Sequence, residues 1–260
     1  SDKARELGIK LRTTEKLSAD METLEWIRSD IPDLILVIDF GHIIREPLLN
    51  MAPLGCINIH PSLLPAYRGS APVQRAIMDG LKETGVTIFR LDEGMDSGPV
   101  LDRIAVSIDM SDDTPSLLIK TCKAGCEKLL EYLLKTPSDR WVFVPQSEVG
   151  VSTAPKIEKS EGKIDWSGRS FDIFNRIRAL ASSPGTFCCF AGKRLRIHIA
   201  EQASETGSPG ELVGTVGGFP IIACGEGSLI LKSVQPEGKN VMSADEWLRG
   251  NRMKAGDFLH

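Results

Sequence analysis

The chain has 260 residues, 42% of them hydrophobic and 25% charged, with a formal net charge of −4. That length and apolar content support one or two domains with real cores. The charge share is ordinary, and the small negative balance excludes a chain whose whole surface is built for nucleic acid or membrane.

Residues 4–7 read as the end of a helix stopped by Gly8, and 9–11 as a short strand. No initiating Met precedes them, so the chain is expected to be processed, trimmed or given without what came first. Met21, Leu24 and Ile27 recur every three residues and predict an amphipathic helix over 18–30. The run 33–40 (DLILVIDF) predicts a strand apolar on both faces, as in a parallel sheet covered by helices. A short helix at 46–51, a strand at 56–59 and a helix at 72–80 follow. Residues 85–91 form the next expected strand, leading into the loop DEGMDSG, and 99–108 alternate as a more exposed strand.

Asp113 or Thr114 can cap a long helix reaching to about residue 135, with Pro115 at its first position. Residues 141–144 predict one more short strand. Strands alternating with helices argue for a doubly wound α/β sheet, with ligands beyond the carboxyl ends of its strands. DFGHII, INIHPSLLP and DEGMDSG are all expected at such ends.

The character changes near residue 145, where a polar, broken stretch reads as a linker to 162. The expected domains are 1–144 and 163–260. A helix at 171–181 precedes five short strands with glycine-rich turns at 186–191, 193–201, 211–216, 220–224 and 228–235. They suggest a small barrel of the five-stranded OB type. Ser243-Ala244-Asp245-Glu246 reads as a capping box opening a last helix.

Cysteines stand at 56, 122, 126, 188, 189 and 224, without a C-x-x-C pair. They read as buried or half-buried thiols of a reducing compartment, and nothing completes a metal set around Cys122 and Cys126. No apolar run reaches the ~18 residues of a membrane span, and no signal peptide opens the chain. Residues 1–150 hold 17 basic against 23 acidic residues, and 151–260 hold 14 against 12. A polyanion would therefore meet the second half.

Asn58 and His60 carry the first candidate chemistry. A strand puts both on one face, where they offer an amide donor and an acid or base. On spacing alone, a hydrogen-bonded pair inside a sheet is the simpler reading, and Asp96 before Ser-Gly reads as a turn former. Ser62 sits in no G-x-S-x-G elbow. Arg68 could hold an anion or be a plain surface arginine. Lys193, Arg194, Arg196 and His198 follow a Gly turn. Arg194, Arg196 and His198 share one strand face, with Leu195, Ile197 and Ile199 on the other. A basic strand face suits phosphate contact, and a solvated outer face is the alternative.

At Asn58-x-His60, Ser62-Leu63-Leu64-Pro65 and Asp96 the chain resembles the formyltransferase family that uses 10-formyltetrahydrofolate. The resemblance implies a Rossmann-like domain with a mostly parallel sheet, followed by a small OB-like barrel. It implies a catalytic trio of Asn58, His60 and Asp96, and no metal. It also implies a reduced-folate site walled by Phe40, Gly41, His42, Ile43, Ser62, Leu63, Leu64, Pro65, Asp92, Glu93, Gly94 and Met95, with the His42 ring incidental.

The blocks APKIEKSEGKIDWS, IRALASSPGTFCCFAGKRLRIHIAE and GSLILKSVQPEGKNVMSADEWLRGNRMKAGD resemble the methionyl-tRNA formyltransferases within that family. They imply initiator Met-tRNA as partner, and the basic strand face with Lys193, Arg194 and Arg196 is where its phosphates are expected. A monomer in the bacterial cytoplasm or an organellar matrix is implied, with no membrane partner. The family opens with a strand, a turn and a helix that this sequence lacks, roughly 30 residues or more, so an unpaired sheet edge is expected. Rival readings are a formyltransferase acting on an amino-sugar nucleotide or glycinamide ribonucleotide, and a truncated, non-catalytic tRNA-binding relative. A Rossmann dehydrogenase is disfavoured because no G-x-G-x-x-G follows a strand.

Overall fold

The computed structural model describes residues 2–15, 17–38, 40–41 and 43–260, the side chain of Ser18 excepted. Two short helices come first, α1 (Asp2–Glu6) and α2 (Met21–Ser29). Residues 9–11, expected as a strand, lie in none. The first sheet holds β1 (Ile35–Val37), β2 (Cys56–His60), β3 (Glu83–Arg90) and β4 (Val100–Ser107), in that order, with α3 (Pro72–Met78) between β2 and β3.

The α/β class is as expected. The described sheet is less parallel than the sequence suggests, because only β1 and β2 pair in parallel while β2–β3 and β3–β4 are antiparallel. Loop 91–99 between β3 and β4 is too short for a crossover, so the chain must turn back on itself. After two buried residues the outer strand β4 alternates between half-buried and exposed ones, as an antiparallel edge does. The strand expected over 33–40 shrinks to three residues, because β1 has a single described neighbour and pairs only with Cys56 to Asn58.

The period-two rule sorts β2 into two faces. Ile57 and Ile59 pack with Val86, Ile88, Leu129 and Trp141, and Cys56 packs with Leu24, Val37 and Leu48 on the opposite side. Asn58 and His60 therefore share the Cys56 face. Helix α4 (Thr114–Lys135) covers the isoleucine face. Its start is a reciprocal cap: the Asp113 carboxylate accepts from the Ser116 N–H at 2.9 Å, and the Ser116 hydroxyl accepts from the Asp113 N–H at 3.1 Å. Gly125 lets α4 approach, since a Cβ there would lie 2.5 Å from Ile59 Cγ2. Residues 141–144 supply one bridge, Val144 to Val100, in place of the expected strand.

The stretch 145–162 lies bonded along the loop after β2 and along α3. Arg68 N–H donates to Ser152 O, Ala154 N–H to Arg68 O, and Ala71 N–H to Ala154 O. The Arg75 guanidinium on α3 then grips the Glu161 carboxylate at 2.5 and 2.9 Å.

Helix α5 (Ser170–Ala179) leads into the second sheet: β5 (Thr186–Phe190), β6 (Lys193–Ala203), β7 (Leu212–Val216), β8 (Phe219–Ala223) and β9 (Ser228–Pro236). The order is β5-β6-β9-β8-β7, every pair antiparallel, with β10 (Met242–Ser243) on β9. The five expected strands are present. Residues 257–260 lie between the two edges: His260 exchanges backbone hydrogen bonds with Cys189 of β5, Leu212 N–H donates to Asp257 O, and Leu259 N–H to Gly210 O. Ile199, expected inside, is 57% exposed, because register shifts on either side of it bulge β6 and bring Ala200 into the core instead.

Helix α6 (Ala244–Asn251) starts at Ser243 without the expected capping box. The Ser243 hydroxyl donates to the Asp245 carboxylate instead, which Arg249 also grips. Among the described residues no helix is long and apolar enough to cross a membrane.

Candidate active site

The site forms where β2 gives way to loop 61–71. Thr87 of β3, the register partner of His60, pins that loop. Its hydroxyl donates to Ser62 O at 2.6 Å and accepts from the Leu64 N–H at 3.0 Å. The Ser62 hydroxyl, fully buried, donates to Ala66 O at 2.7 Å, and Arg103 Nε donates to Leu64 O at 2.6 Å. The loop is thus held by internal bonds before any ligand arrives.

His60 is buried, edge-on to the Phe89 ring. Its Nε2 lies 3.0 Å from Tyr67 O, which can only accept, so Nε2 carries the proton and donates. Its Nδ1 faces Asp96 Oδ2 at 3.8 Å, an ion-pair distance longer than a direct hydrogen bond. The same Oδ2 accepts from the Gly69 N–H at 2.7 Å. Both ring nitrogens therefore look at oxygen. The half-buried Asn58 amide takes no hydrogen bond from or to any described residue.

The carboxylate arrives by an indirect route. Ile57 pairs with Arg90, so β3 ends beside the start of β2. The following loop folds back to bring Asp96 to His60. The three segments expected at one sheet edge therefore do not leave from one edge, because β3 runs antiparallel to β2. The Asp92 carboxylate shapes the return by accepting from the Gly94 N–H at 3.0 Å and the Ser97 hydroxyl at 2.8 Å. Asp96 sits at φ 51°, in the left-handed region. Gly98 has no room for a side chain, since a Cβ would lie 1.9 Å from Arg90 O.

A family profile described as "Formyl transferase" matches residues 4–133, and one described as "Formyl transferase, C-terminal domain" matches residues 156–252. The chain belongs to the formyl transferase family. A methionyl-tRNA formyltransferase of Myxococcus xanthus is 39% identical over 232 residues, covering 89% of this chain and 74% of the relative. One from Dictyoglomus turgidum is 39% identical over 256 residues, covering 96% and 81%. Among solved structures, the methionyl-tRNA formyltransferase of Clostridium thermocellum superposes with a TM-score of 0.62 at 20% identity, covering 76% of this chain and 85% of that one. HypX from Aquifex aeolicus superposes with a TM-score of 0.72 at 20% identity, covering 96% of this chain and 43% of that one. At these identities the structures show a shared fold. As a member of the formyl transferase family the chain is an enzyme, and formyl transfer is its chemistry.

Of the residues expected from the sequence of this formyl transferase, Asn58 and His60 share a face and Asp96 meets His60. Ser62 and Leu64 turn inward, because the hydroxyl is spent on Ala66 and Leu64 packs with Phe89 and Val100. Leu63 and Pro65 are half-buried. Phe40, Gly41 and Ile43 are exposed beyond the end of β1, as are Glu93, Gly94 and Met95 in the returning loop. His42 lies outside the described residues. Arg68 is no free anion site, since Nε and Nη2 donate to Gln146 Oε1 at 3.2 and 2.7 Å.

Sequence reasoning missed Thr87, the Tyr67 carbonyl and Gln146. Thr87 alone left a signal, as a hydroxyl within a strand otherwise apolar around it. In the second sheet, the Arg194 guanidinium lies 4.0 Å over the Phe187 ring and Arg196 donates to Pro184 O. With Gln235 to Gly238 they line a hollow of about 130 Å³, and Lys193 is exposed beside them. Burial pushes the Cys56 thiol up to about 11 and the Cys224 thiol up to about 12. Cys122 is exposed, against expectation, because the face of α4 that packs carries Leu117, Thr121, Gly125 and Leu129 instead.

Proposed function

We propose that this enzyme moves the formyl group of 10-formyltetrahydrofolate to the α-amine of methionine on initiator tRNA, as a monomer in a cytoplasm or organellar matrix. The observation that carries the chemistry is the Asn58 amide, unpartnered within the described protein, on the same face as a His60 that Asp96 flanks. The acceptor rests on relatives named for methionyl-tRNA that match along both halves of the chain.

In this reading the methionine nitrogen attacks the formyl carbon and a new N–C bond forms. Negative charge gathers on the formyl oxygen, where the Asn58 N–H donates. His60 gives Nε2–H to Tyr67 O, so a ring protonated on both nitrogens donates from Nδ1 as well. Asp96 offsets that positive charge and lies within reach of the proton the amine must lose. Collapse breaks the bond from the formyl carbon to folate N10, which takes up a proton. The exposed residues beyond β1 and in the returning loop stand where a folate ring system could rest. Lys193 and Arg194 offer cations to phosphate, while Arg196 is already engaged by Pro184 O.

The acceptor is tested by offering 10-formyltetrahydrofolate with either methionyl-tRNA or a nucleotide-linked amino sugar. Formylation of the tRNA alone is the expected result. Transfer to the amino sugar alone would reassign the acceptor, and tRNA binding without transfer to either would leave a non-catalytic binder.

A further inference from the structure

We infer that Gln146 is a positioning residue for Asp96. The inference rests on the reading of Asp96 as a group at the reaction centre and adds a residue outside the expected trio. Gln146 stands in the stretch that reads as a linker, yet its amide makes four hydrogen bonds into the site. Its Nε2 donates to Asp96 O at 2.8 Å and to Gly98 O at 2.9 Å. Its Oε1 accepts from Arg68 Nε at 3.2 Å and Nη2 at 2.7 Å. The arginine offers only donors and the two carbonyls only acceptors, so the orientation of the amide is fixed.

These bonds close a ring. Arg68 orients Gln146, Gln146 holds the carbonyls on either side of Ser97, and the Gly69 N–H, one residue from Arg68, takes the Asp96 carboxylate. Backbone and side chain of Asp96 are thus tied to one short segment, 68–69. That segment is itself bonded to Ser152 and Ala154. Such support suits Asp96, because a left-handed backbone costs some free energy in a non-glycine residue, though less in aspartate than in most. Among the described residues, Gln146 alone donates to the Asp96 and Gly98 carbonyls. Removing it loosens the loop that aims the carboxylate at His60 and leaves the Asn58 side chain itself unaltered.

The test uses Gln146→Ala and Gln146→Glu, with Asp96→Asn and the Asp96→Asn/Gln146→Ala double variant. Glutamate keeps the acceptor for Arg68 and loses both donors. Each Gln146 variant should lower kcat by about 10- to 100-fold, the scale of a misplaced catalytic group, with KM for folate and acceptor little changed. The double variant should be no slower than Asp96→Asn alone, because both changes act through one carboxylate. The Gly69 amide proton should lose the NMR shift of a charge-assisted hydrogen bond in Gln146→Ala while the other resonances of the first sheet stay in place. An unaltered Gly69 resonance together with near-normal kcat would overturn the assignment, and so would losses that multiply in the double variant. If Asp96→Asn itself turns over normally, the reading of Asp96 fails, and the Gly69 resonance still decides whether Gln146 places it.

Discussion

Gly125→Ala puts one methyl group between α4 and the strand that carries Asn58 and His60. The new Cβ would stand 2.5 Å from Ile59 Cγ2 and 2.9 Å from Val86 Cγ2, where carbon atoms prefer about 3.5–4.0 Å. Both neighbours are β-branched and stiff at χ1, so helix and sheet must part by about an ångström. Overpacking of this kind costs about 1–3 kcal/mol, and alanine returns about 1 kcal/mol of helix propensity. The net loss of stability should be about 1 kcal/mol. Turnover should suffer more, because Ile59 lies between Asn58 and His60, and displacement on the ångström scale can cost ~10² in rate. A fall in kcat of at least about tenfold is expected. Gly250→Ala is the control, since a Cβ in α6 would meet nothing within 4 Å. It should gain up to about 1 kcal/mol and leave kcat alone. Urea unfolding and formyl-transfer kinetics on the two variants decide. If Gly125→Ala matched Gly250→Ala in both stability and turnover, α4 would not be setting the position of β2.

Asn58→Ala should lower kcat by ~10²–10³, the usual cost of one oxyanion donor, with an unchanged melting temperature. Near-normal turnover at saturating substrates would remove Asn58 from the reaction. The Arg75–Glu161 pair should make stability pH-dependent. Hydrogen bonds from Arg75 hold the Glu161 carboxyl below its ordinary value. Its stabilisation is present above the ordinary carboxylate range and is lost as pH falls through the lowered value. The gap in unfolding free energy between the native protein and Arg75→Ala should be about 2 kcal/mol at neutral pH and should narrow in acid. A gap independent of pH would mean that the bonds from Arg75 to Pro155 O and Lys156 O supply the effect instead.

What could be read from the sequence was local. Glycine-rich turns between short runs located the strands of the second sheet, and the spacing of Asn58 and His60 placed both on one face before any contact was known. The cap of α4 was legible because Asp113, Thr114 and Pro115 are adjacent. The same reasoning failed at Ser243, where Arg249 one turn later holds the Asp245 carboxylate that takes the serine hydroxyl. It failed at Ile199 because a bulge shifts the two-residue period and no residue type announces it. The parallel reading of the first sheet followed from apolar runs on both faces, which a covered antiparallel strand such as β3 produces equally. Gln146 was invisible for a different reason. Its partners Arg68, Asp96 and Gly98 lie far away in sequence, and a glutamine among prolines and serines carries no periodic signal.

The stretch 145–162 is where composition misled most about mechanics. Prolines and polar residues suggest a tether with few crossing contacts, yet one end holds Asp96 through Gln146 and the other holds α3 through Glu161. The next helix, α5, is locked as firmly. Thr114 donates to Ala179 O at 2.6 Å. The guanidinium of Arg178, buried in the joint, donates to the backbone carbonyls of Asp109 and Asp112 and to Asn175 Oδ1. Burial lowers the Arg178 pKa while the Asp112 charge opposes that shift, so each of these bonds counts for more than one at the surface. A strap fixed at both ends loses little further chain entropy when its middle is held. That is why Ser152 and Ala154 can pair with Arg68 in a segment with no regular secondary structure. The strap's own hydrogen bonds thus run to the loop that carries Asp96, to residues 68–71 and to α3, while the second sheet follows through α5, whose Arg176 donates to Glu161 O and whose Arg178 is anchored on Asp109 O and Asp112 O.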